Sequence, residues 1–215
     1  MSLPAPFRCA IFDMDGTVLD SMEQWRAQSV LLLERHGIEL SDELSASLRQ
    51  MSGVMAAKLY AKRFGIKLNM QEIMETYLAD MERRYMTEIL PKPGVGAYLE
   101  RLEREGVPCC IATATPRPLA ERALARHGLL KRFRFVVSTQ EERRGKDDPE
   151  FFELTASRLG VTATECTVFE DALYAIQGAK KAGCTVIGVA DPTNLSDREE
   201  MKRLCVRIIE RYAEL

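Results

Sequence analysis

The sequence of 215 residues lacks the features that define several common classes of protein. No apolar run approaches the roughly 18 residues that span a bilayer, and the N-terminus lacks the basic and then apolar layout of a signal peptide. Charge is nearly balanced, with 30 basic and 32 acidic residues and a net charge of −2, so no overall field favours nucleic acid or an anionic membrane. We therefore expect a cytoplasmic protein with neither nucleic-acid nor membrane partners.

The six cysteines and two histidines also lack the spacing of metal or redox sites. No pair has the Cys-x-x-Cys spacing of zinc ribbons and redox motifs. Each histidine precedes a glycine at the end of a helical pattern, which is typical of a helix C-terminus. We predict no catalytic histidine, and we predict small, reduced core residues at the cysteines that lie in or beside apolar runs: Cys9, Cys109, Cys110, Cys166 and Cys184.

What the sequence does contain is a short apolar run, 9–12, that ends in two carboxylates, Asp13 and Asp15. The run is typical of a strand buried on both faces. Side chains two residues apart point the same way in an extended chain, so the carboxylates repel unless a cation lies between them or one takes up a proton. Gly16 permits a tight turn, and the amides of Gly16 and Thr17 are placed to cradle an anion. A metal and a phosphate would both fit here.

The string Asp13-Met14-Asp15-Gly16-Thr17-Val18-Leu19-Asp20 resembles the first signature of the haloacid dehalogenase (HAD) superfamily. The resemblance is to the magnesium-dependent phosphatase and phosphomutase branch, which requires both carboxylates, the glycine and the threonine directly after the first strand. A calcium-binding or surface acidic turn is the alternative, but such a turn would not need the buried strand before it.

Residues 21–90 carry helical patterns and no strand-like run. Ser21 with Gln24 makes a capping box for a first helix that ends at Gly37. The spacing of apolar residues predicts three more helices: one capped by Ser41 with Leu44, Leu48 and Met51, one from about Val54 to Gly65, and one capped by Asn69 and Glu72 with Ile73, Met74, Tyr77, Leu78, Met81 and Tyr85. We therefore predict an all-helical inserted domain.

Pro91-Lys92-Pro93-Gly94 is predicted to be the linker that returns from the insert. Helices and strands alternate beyond it, which implies a doubly wound parallel sheet of the α/β class, with right-handed crossovers. Residues 1–20 and 91–215 are thus predicted to form an α/β core domain and residues 21–90 a helical domain. Later strands are predicted at 107–112, 133–137, 166–169 and 184–189, with a candidate short strand within 203–208 before a last helix.

Polar side chains follow the predicted strands where each one ends. In an open parallel sheet, ligands bind beyond the carboxyl ends of the strands. Asp13 follows the first strand, Thr113 the second, Lys146 lies in the loop after the third, and Glu170 with Asp171 follow the fourth. Each has an ordinary alternative, as a turn residue, a solvated charge or a helix N-cap. Jointly, those alternatives would require five coincidences at the same strand ends.

The resemblance continues in these later strand ends. Ile111-Ala112-Thr113-Ala114 is similar to the second HAD motif, whose hydroxyl and following amide bind the phosphoryl group. Gly145-Lys146 is similar to the third, although the family often has Lys-Pro where this chain has Lys146-Asp147. Val168-Phe169-Glu170-Asp171 resembles the fourth, with Ala172 and Ala175 in place of the usual serine and glycine. The resemblance implies a Rossmann-like core with a helical cap domain.

The residue chemistry, together with this resemblance, predicts a Mg²⁺-dependent phosphoryl transfer through an aspartyl-phosphate. Asp13 is the predicted nucleophile, and Asp15 is the predicted acid and base for the leaving oxygen and the water. The predicted phosphate-binding residues are Gly16, Thr17, Thr113, Ala114 and Lys146. The predicted Mg²⁺ ligands are Asp13, the carbonyl oxygen of Asp15, Asp171, and Glu170 either directly or through water.

The favoured function is hydrolysis of a small phosphorylated metabolite. The main alternative is a β-phosphoglucomutase-type sugar phosphomutase, but those enzymes carry a histidine in the first cap helix where this chain has Trp25. A non-catalytic phosphate-sensing domain such as a receiver is a different class, yet a receiver has no helical insert after its first strand. Dehalogenation is more remote, because that branch lacks the second aspartate. Candidate substrate contacts, with solvated helix surface as the alternative, are Arg49, Gln50, Ser52 and Lys58.

Overall fold

The computed structural model describes residues 7–35, 37, 39, 41, 44, 59, 61–65 and 70–215. The chain forms two compact units, which we name the α/β unit (Met1–Asp20 with Leu90–Leu215) and the helical unit (Ser21–Ile89). These bounds lie within one residue of the division made from the sequence. The assignment of the two units as a core domain and a cap domain stays a prediction.

A six-stranded parallel sheet forms the centre of the α/β unit. Its strands are β1 (Cys9–Phe12), β2 (Cys109–Thr113), β3 (Val136–Ser138), β4 (Cys166–Glu170), β5 (Thr185–Val189) and β6 (Arg207–Ile209). They lie in the order β3-β2-β1-β4-β5-β6, and each neighbouring pair is parallel. The predicted doubly wound α/β fold is therefore confirmed. The order reverses between β1 and β4, which is where open sheets of this kind bind ligands.

The two central strands end at the same level. Phe12 of β1 pairs in register with Phe169 of β4, and their rings stack with centroids 4.3 Å apart. All four residues of β1 are fully buried, because helices cover both faces of a parallel sheet. The residues that follow Phe12 and Phe169, Asp13 and Glu170, therefore leave the sheet side by side.

Helices follow most of the strands of the α/β unit. They are α3 (Val95–Arg104), α4 (Arg117–Arg126), α5 (Thr139–Glu142), α6 (Pro149–Arg158), α7 (Leu173–Lys181) and α8 (Arg198–Leu204), while α1 (Met22–Arg35) and α2 (Met70–Thr87) belong to the helical unit. Proline at the first turn starts both α4 and α6, where its missing N–H has no helical partner to lose.

The described residues of the helical unit contain helix and no strand. The Trp25 indole N–H of α1 donates to the Tyr85 hydroxyl of α2 at 3.2 Å, and Met81 and Tyr85 are buried as their spacing predicts. Ser41 accepts a hydrogen bond from the Leu44 amide at 3.2 Å, which is the capping contact expected there. The described part of the chain does not include the predicted helix positions Leu48 and Met51 or the predicted substrate contacts Arg49, Gln50, Ser52 and Lys58.

The structure corrects two strands and the C-terminal segment. The second strand begins at Cys109 rather than 107. The third spans Val136–Ser138 rather than 133–137, and a 3-10 helix lies before it at Leu130–Arg132. The short strand expected within 203–208 is present as β6, but it lies at Arg207–Ile209 because α8 continues to Leu204. The last helix expected after it is a 3-10 helix at Tyr212–Glu214. Helix α8 was not predicted from the sequence. Met201 is its one buried apolar residue, so the sequence shows little helical periodicity of apolar positions.

All six cysteines are free and buried, as the absence of paired spacing predicts. Their burial raises the pKa of the Cys109 thiol to about 12 and that of Cys184 to about 12, which keeps both protonated. Within the described residues, no helix is long and apolar enough to cross a membrane.

Helix α7 packs very closely on the loop that carries Lys146. A Cβ atom added to Gly178 would overlap the carbonyl oxygen of Lys146 and crowd the backbone of Asp147. Gly178 is therefore required by close approach, not by backbone conformation, since it lies within a regular helix. This contact fixes the height of the Lys146 loop above the sheet.

We expect Gly178→Ala to lower the free energy of unfolding by about 1–3 kcal/mol, because overpacking outweighs the higher helix propensity of alanine. The matched control is Gly96→Ala in α3, where the nearest atom to the new Cβ lies 3.9 Å away and no loss is expected. Urea unfolding followed by circular dichroism measures both variants. Equal stability of the two variants would show that the Gly178 contact relaxes without cost.

Candidate active site

Four polar side chains from separate parts of the sequence meet at the carboxyl edge of the sheet. Asp13 follows β1, Glu170 ends β4 and Asp171 follows it, and their carboxylate oxygens lie within 4.8 Å of one another. Lys146, in the loop between α5 and α6, pairs with both Asp13 and Glu170. Thr113, the fifth residue expected here, ends the neighbouring β2 and is fully buried.

Lys146 is the cation of this cluster. Its ammonium contacts Asp13 Oδ1 and lies 2.8 Å from Glu170 Oε2, with only 3% of the side chain exposed. Burial disfavours the charged form, but the Asp13 and Glu170 carboxylates more than offset this and raise the pKa of Lys146 above its ordinary value. Lys146 therefore carries a permanent charge although its side chain is almost entirely buried.

One lysine does not neutralise three buried carboxylates. Burial, and then the charge of Glu170, raise the pKa of Asp13 well above its ordinary value, and the same two causes raise the pKa of Asp171. Asp13 Oδ2 is buried and has no hydrogen-bond partner among the described residues. An excess of negative charge and an unpartnered carboxylate oxygen fit a divalent cation with oxygen ligands.

Both carboxylate oxygens of Glu170 accept hydrogen bonds from the protein. Its Oε1 accepts hydrogen bonds from the amides of Asp171 and Ala172, each at 3.1 Å, and its Oε2 accepts from Lys146. Glu170 therefore holds both the lysine and the start of α7 in place. Together with Asp13 and Asp171, Glu170 still offers a carboxylate oxygen to the cluster that could hold a metal ion.

The turn after Asp13 is closed by its own backbone. The Gly16 amide donates to the Leu19 carbonyl oxygen at 2.8 Å, and Gly16 has a φ of 81°. This amide was expected to bind an anion, but it is used within the turn, so we assign Gly16 to the turn alone. Thr17 is buried and its hydroxyl oxygen has no hydrogen-bond partner within the described residues, while Ala114 is exposed directly after β2.

Sequence reasoning did not identify Thr115 or Asn194. The Thr115 hydroxyl donates to Asp15 Oδ2 at 2.7 Å, and the Thr115 amide donates to the Thr113 hydroxyl oxygen at 3.0 Å. Asn194 donates through its side-chain amide to the Asp171 carbonyl oxygen at 2.9 Å. The available signals were weak: a second threonine two residues after Thr113, and an asparagine just beyond β5.

Comparison with known proteins agrees with this geometry. The family model described as haloacid dehalogenase-like hydrolase matches residues 10–189. The chain is 30% identical to validoxylamine A 7'-phosphate phosphatase of Streptomyces hygroscopicus subsp. limoneus, over 85% of each chain. It is also 30% identical to hexitol phosphatase A of Escherichia coli (strain K12), over 86% of this chain and 83% of that protein. The chain therefore belongs to the haloacid dehalogenase-like hydrolase family.

Both relatives are named phosphatases, so the prediction of a HAD-type phosphoric monoester hydrolase is confirmed at the level of enzyme class. A solved structure of β-phosphoglucomutase from Clostridium difficile superposes with a TM-score of 0.79, covering 98% of this chain and 93% of that one. Its identity to this chain is 19%, so this likeness shows the fold alone.

The excess negative charge of the carboxylate cluster predicts how the free energy of unfolding of the metal-free protein depends on pH. Because the pKa of Asp13 is raised above its ordinary value of 3.8, its stabilising contribution is present below that pH and is lost as pH rises through the folded pKa. In chelator, Asp13→Asn should therefore match wild type near pH 4 and exceed its free energy of unfolding by on the order of 1 kcal/mol or more at pH 8.

Urea unfolding across this pH range, with EDTA throughout, measures the difference. Glu199→Gln is the control of opposite sign, because Lys202 lowers the pKa of the exposed Glu199 carboxylate. A free energy of unfolding at pH 8 that is higher for wild type than for Asp13→Asn would refute the electrostatic account.

Proposed function

We propose that the protein is a Mg²⁺-dependent phosphatase that hydrolyses a small phosphorylated metabolite through an aspartyl-phosphate on Asp13. The observation that carries this proposal is the state of the Asp13 carboxylate: one oxygen contacts Lys146, and the other is buried and has no hydrogen-bond partner in the part of the chain that the structure describes. The two relatives, named for validoxylamine A 7'-phosphate and for hexitols, support a small phosphorylated substrate.

The residues that would hold Mg²⁺ are Asp13 and Asp171 through carboxylate oxygens and Asp15 through its carbonyl oxygen, which are the hard oxygen donors this ion prefers. Glu170 would add its negative charge to the site, either as a direct ligand or through water, while it accepts hydrogen bonds from Lys146 and from the amides at the start of α7. When bound, the ion would supply positive charge that lets an anionic phosphate approach the carboxylates.

In the first proposed step, an oxygen of Asp13 attacks phosphorus and the bond from phosphorus to the ester oxygen breaks. The leaving oxygen takes a proton from Asp15. Lys146, the Thr113 hydroxyl and the Ala114 amide stabilise the charge on the three equatorial oxygens, and Thr17 offers a further buried hydroxyl close by in the sequence.

In the second proposed step, Asp15 removes a proton from water, which attacks phosphorus and releases Asp13 and inorganic phosphate. Thr115 orients Asp15 for both transfers, because its hydroxyl holds Oδ2 and thereby fixes the direction of the other oxygen. The Thr115 hydroxyl is itself placed by the bond from its amide to Thr113. The acid and base role thus depends on β2 as well as on the turn after β1.

Replacement of the nucleophile tests this mechanism. Asp13→Asn should reduce kcat by about 10³-fold or more, because an amide of the same shape is a poor nucleophile. Phosphate release from a generic substrate such as p-nitrophenyl phosphate measures the loss, and circular dichroism confirms the fold. Glu199→Gln, an exposed carboxylate on α8, is the control that should retain wild-type turnover. Turnover by Asp13→Asn within a few-fold of wild type would exclude Asp13 as the nucleophile.

A sugar phosphomutase is the second candidate, and Trp25 is the observation that bears on it. Sugar phosphomutases of the β-phosphoglucomutase type carry a histidine at this position. Here the residue is Trp25, whose indole N–H donates to the Tyr85 hydroxyl within the helical unit. An indole has no titratable nitrogen near neutral pH, so it does not exchange a proton with a sugar hydroxyl. This substitution favours water as the acceptor of the phosphoryl group.

We expect inorganic phosphate to be released from several sugar and small-alcohol phosphates with Mg²⁺, and not in EDTA. Addition of a sugar bisphosphate should not stimulate the reaction, and little isomerised sugar phosphate should form. A phosphate assay combined with ³¹P NMR of the products distinguishes the two functions. Conversion of β-glucose 1-phosphate to glucose 6-phosphate without free phosphate would establish the mutase instead.

A further inference from the structure

The segments that lead into and out of the helical unit pair with each other. Residues 18–20 and 90–92, which we name the linker pair, run antiparallel, and the Lys92 amide donates to the Val18 carbonyl oxygen at 2.9 Å. The Lys92 side chain then turns into the α/β unit, where it is 8% exposed. A lysine is almost never buried unless it is paired, so its partners indicate its role.

Lys92 has two carboxylate partners. Its ammonium lies 2.7 Å from Asp20 Oδ1 in the linker pair and 2.6 Å from Asp191 Oδ2 beyond β5. The side chain of Asp191 is 3% exposed and that of Asp20 is 58% exposed. Of the two ion pairs that Lys92 makes, the one with Asp191 is therefore the buried one. Burial lowers the pKa of Lys92, but hydrogen bonds to the two carboxylates outweigh it and raise the pKa.

Asp191 connects Lys92 to the candidate metal site through Asn194. The second oxygen of Asp191, Oδ1, accepts from the amide and hydroxyl of Thr193, and the Asp191 amide donates to the Asn194 side-chain oxygen at 3.2 Å. The Asn194 side-chain amide then donates to the carbonyl oxygens of Asp171 at 2.9 Å and Val189 at 3.1 Å. Both oxygens of Asp191 are thus held by the protein, so Asp191 supports the site without supplying a ligand.

We infer that Lys92, Asp191 and Asn194 are positioning residues that hold the Asp171 carboxylate at the metal site, with Lys92 joining them to the linker pair. This inference rests on the proposed function, because it assumes that Asp171 binds Mg²⁺. The backbone of Asp171 lies between β4 and α7, and its carbonyl oxygen is bound by a residue that follows β5. Residues that orient a metal ligand in this way commonly change metal affinity by about 10- to 100-fold when replaced.

Two variants test the network at different points. Asn194→Ala removes the donor to Asp171 without any change of charge, so an effect on metal binding reports position and not electrostatics. Lys92→Met/Asp191→Asn removes both members of the buried ion pair together, so neither leaves an unpaired buried charge. Lys202→Met is the control, since Lys202 is an exposed lysine paired with Glu199 on α8.

The measurement is the dissociation constant of Mg²⁺ for the metal-free protein by isothermal titration calorimetry, with the free energy of unfolding in EDTA measured alongside. We expect wild type and Lys202→Met to bind equally and the two network variants to bind about 10-fold more weakly. A purely structural role would lower stability and leave the Mg²⁺ affinity of the folded protein unchanged.

A folded Asn194→Ala variant that binds Mg²⁺ with wild-type affinity would overturn the inference. If the double variant does not fold, the result for Asn194→Ala is sufficient by itself. Absence of Mg²⁺ binding by the wild-type protein would instead overturn the proposed metal site, and with it the proposed function. The two failures are therefore distinguishable.

Discussion

The site depends on one buried ammonium group that faces more negative charge than it neutralises. Lys146 contacts Asp13 and Glu170, and Asp171 adds a third carboxylate within the same 4.8 Å cluster. Without the lysine, three buried carboxylates would lie beside one another with no neighbouring cation to offset their repulsion. With it, the cluster still holds three carboxylates against one ammonium group, which suits the divalent cation and the phosphate of the proposed function.

The rest of the α/β unit serves to hold that ammonium at one place. The stacked rings of Phe12 and Phe169 align the ends of β1 and β4, so that Asp13 and Glu170 emerge together. Gly178 lets α7 rest directly on the Lys146 loop. Glu170 gives one oxygen to Lys146 and the other to the amides at the start of α7. Packing, helix capping and charge thus fix the same few atoms.

Some of the site could be predicted from the sequence because it follows from strand ends. An apolar run that stops at a polar residue indicates the edge of a parallel sheet, and Asp13, Thr113 and Asp171 occupy such strand ends. Lys146 reaches the same edge from the loop between α5 and α6. The same reasoning assigned the Gly16 amide to phosphate binding, whereas this amide donates a hydrogen bond within its own turn. It also missed Thr115 and Asn194, because a hydroxyl or amide that holds another side chain has no periodic pattern of its own.

The sequence by itself determined the class of fold, the helical insert and the polar residues at the strand ends, since these depend on local periodicity and on the order of elements along the chain. The tertiary structure decided how the residues are paired. Lys146 contacts Asp13 across 133 positions of the sequence, and Lys92 reaches Asp191 across 99. The glycine that admits a neighbouring loop, Gly178, also meets a segment distant from it in the sequence, at Lys146 and Asp147. Such contacts follow from the packing of the whole sheet and its helices, which no short stretch of sequence contains.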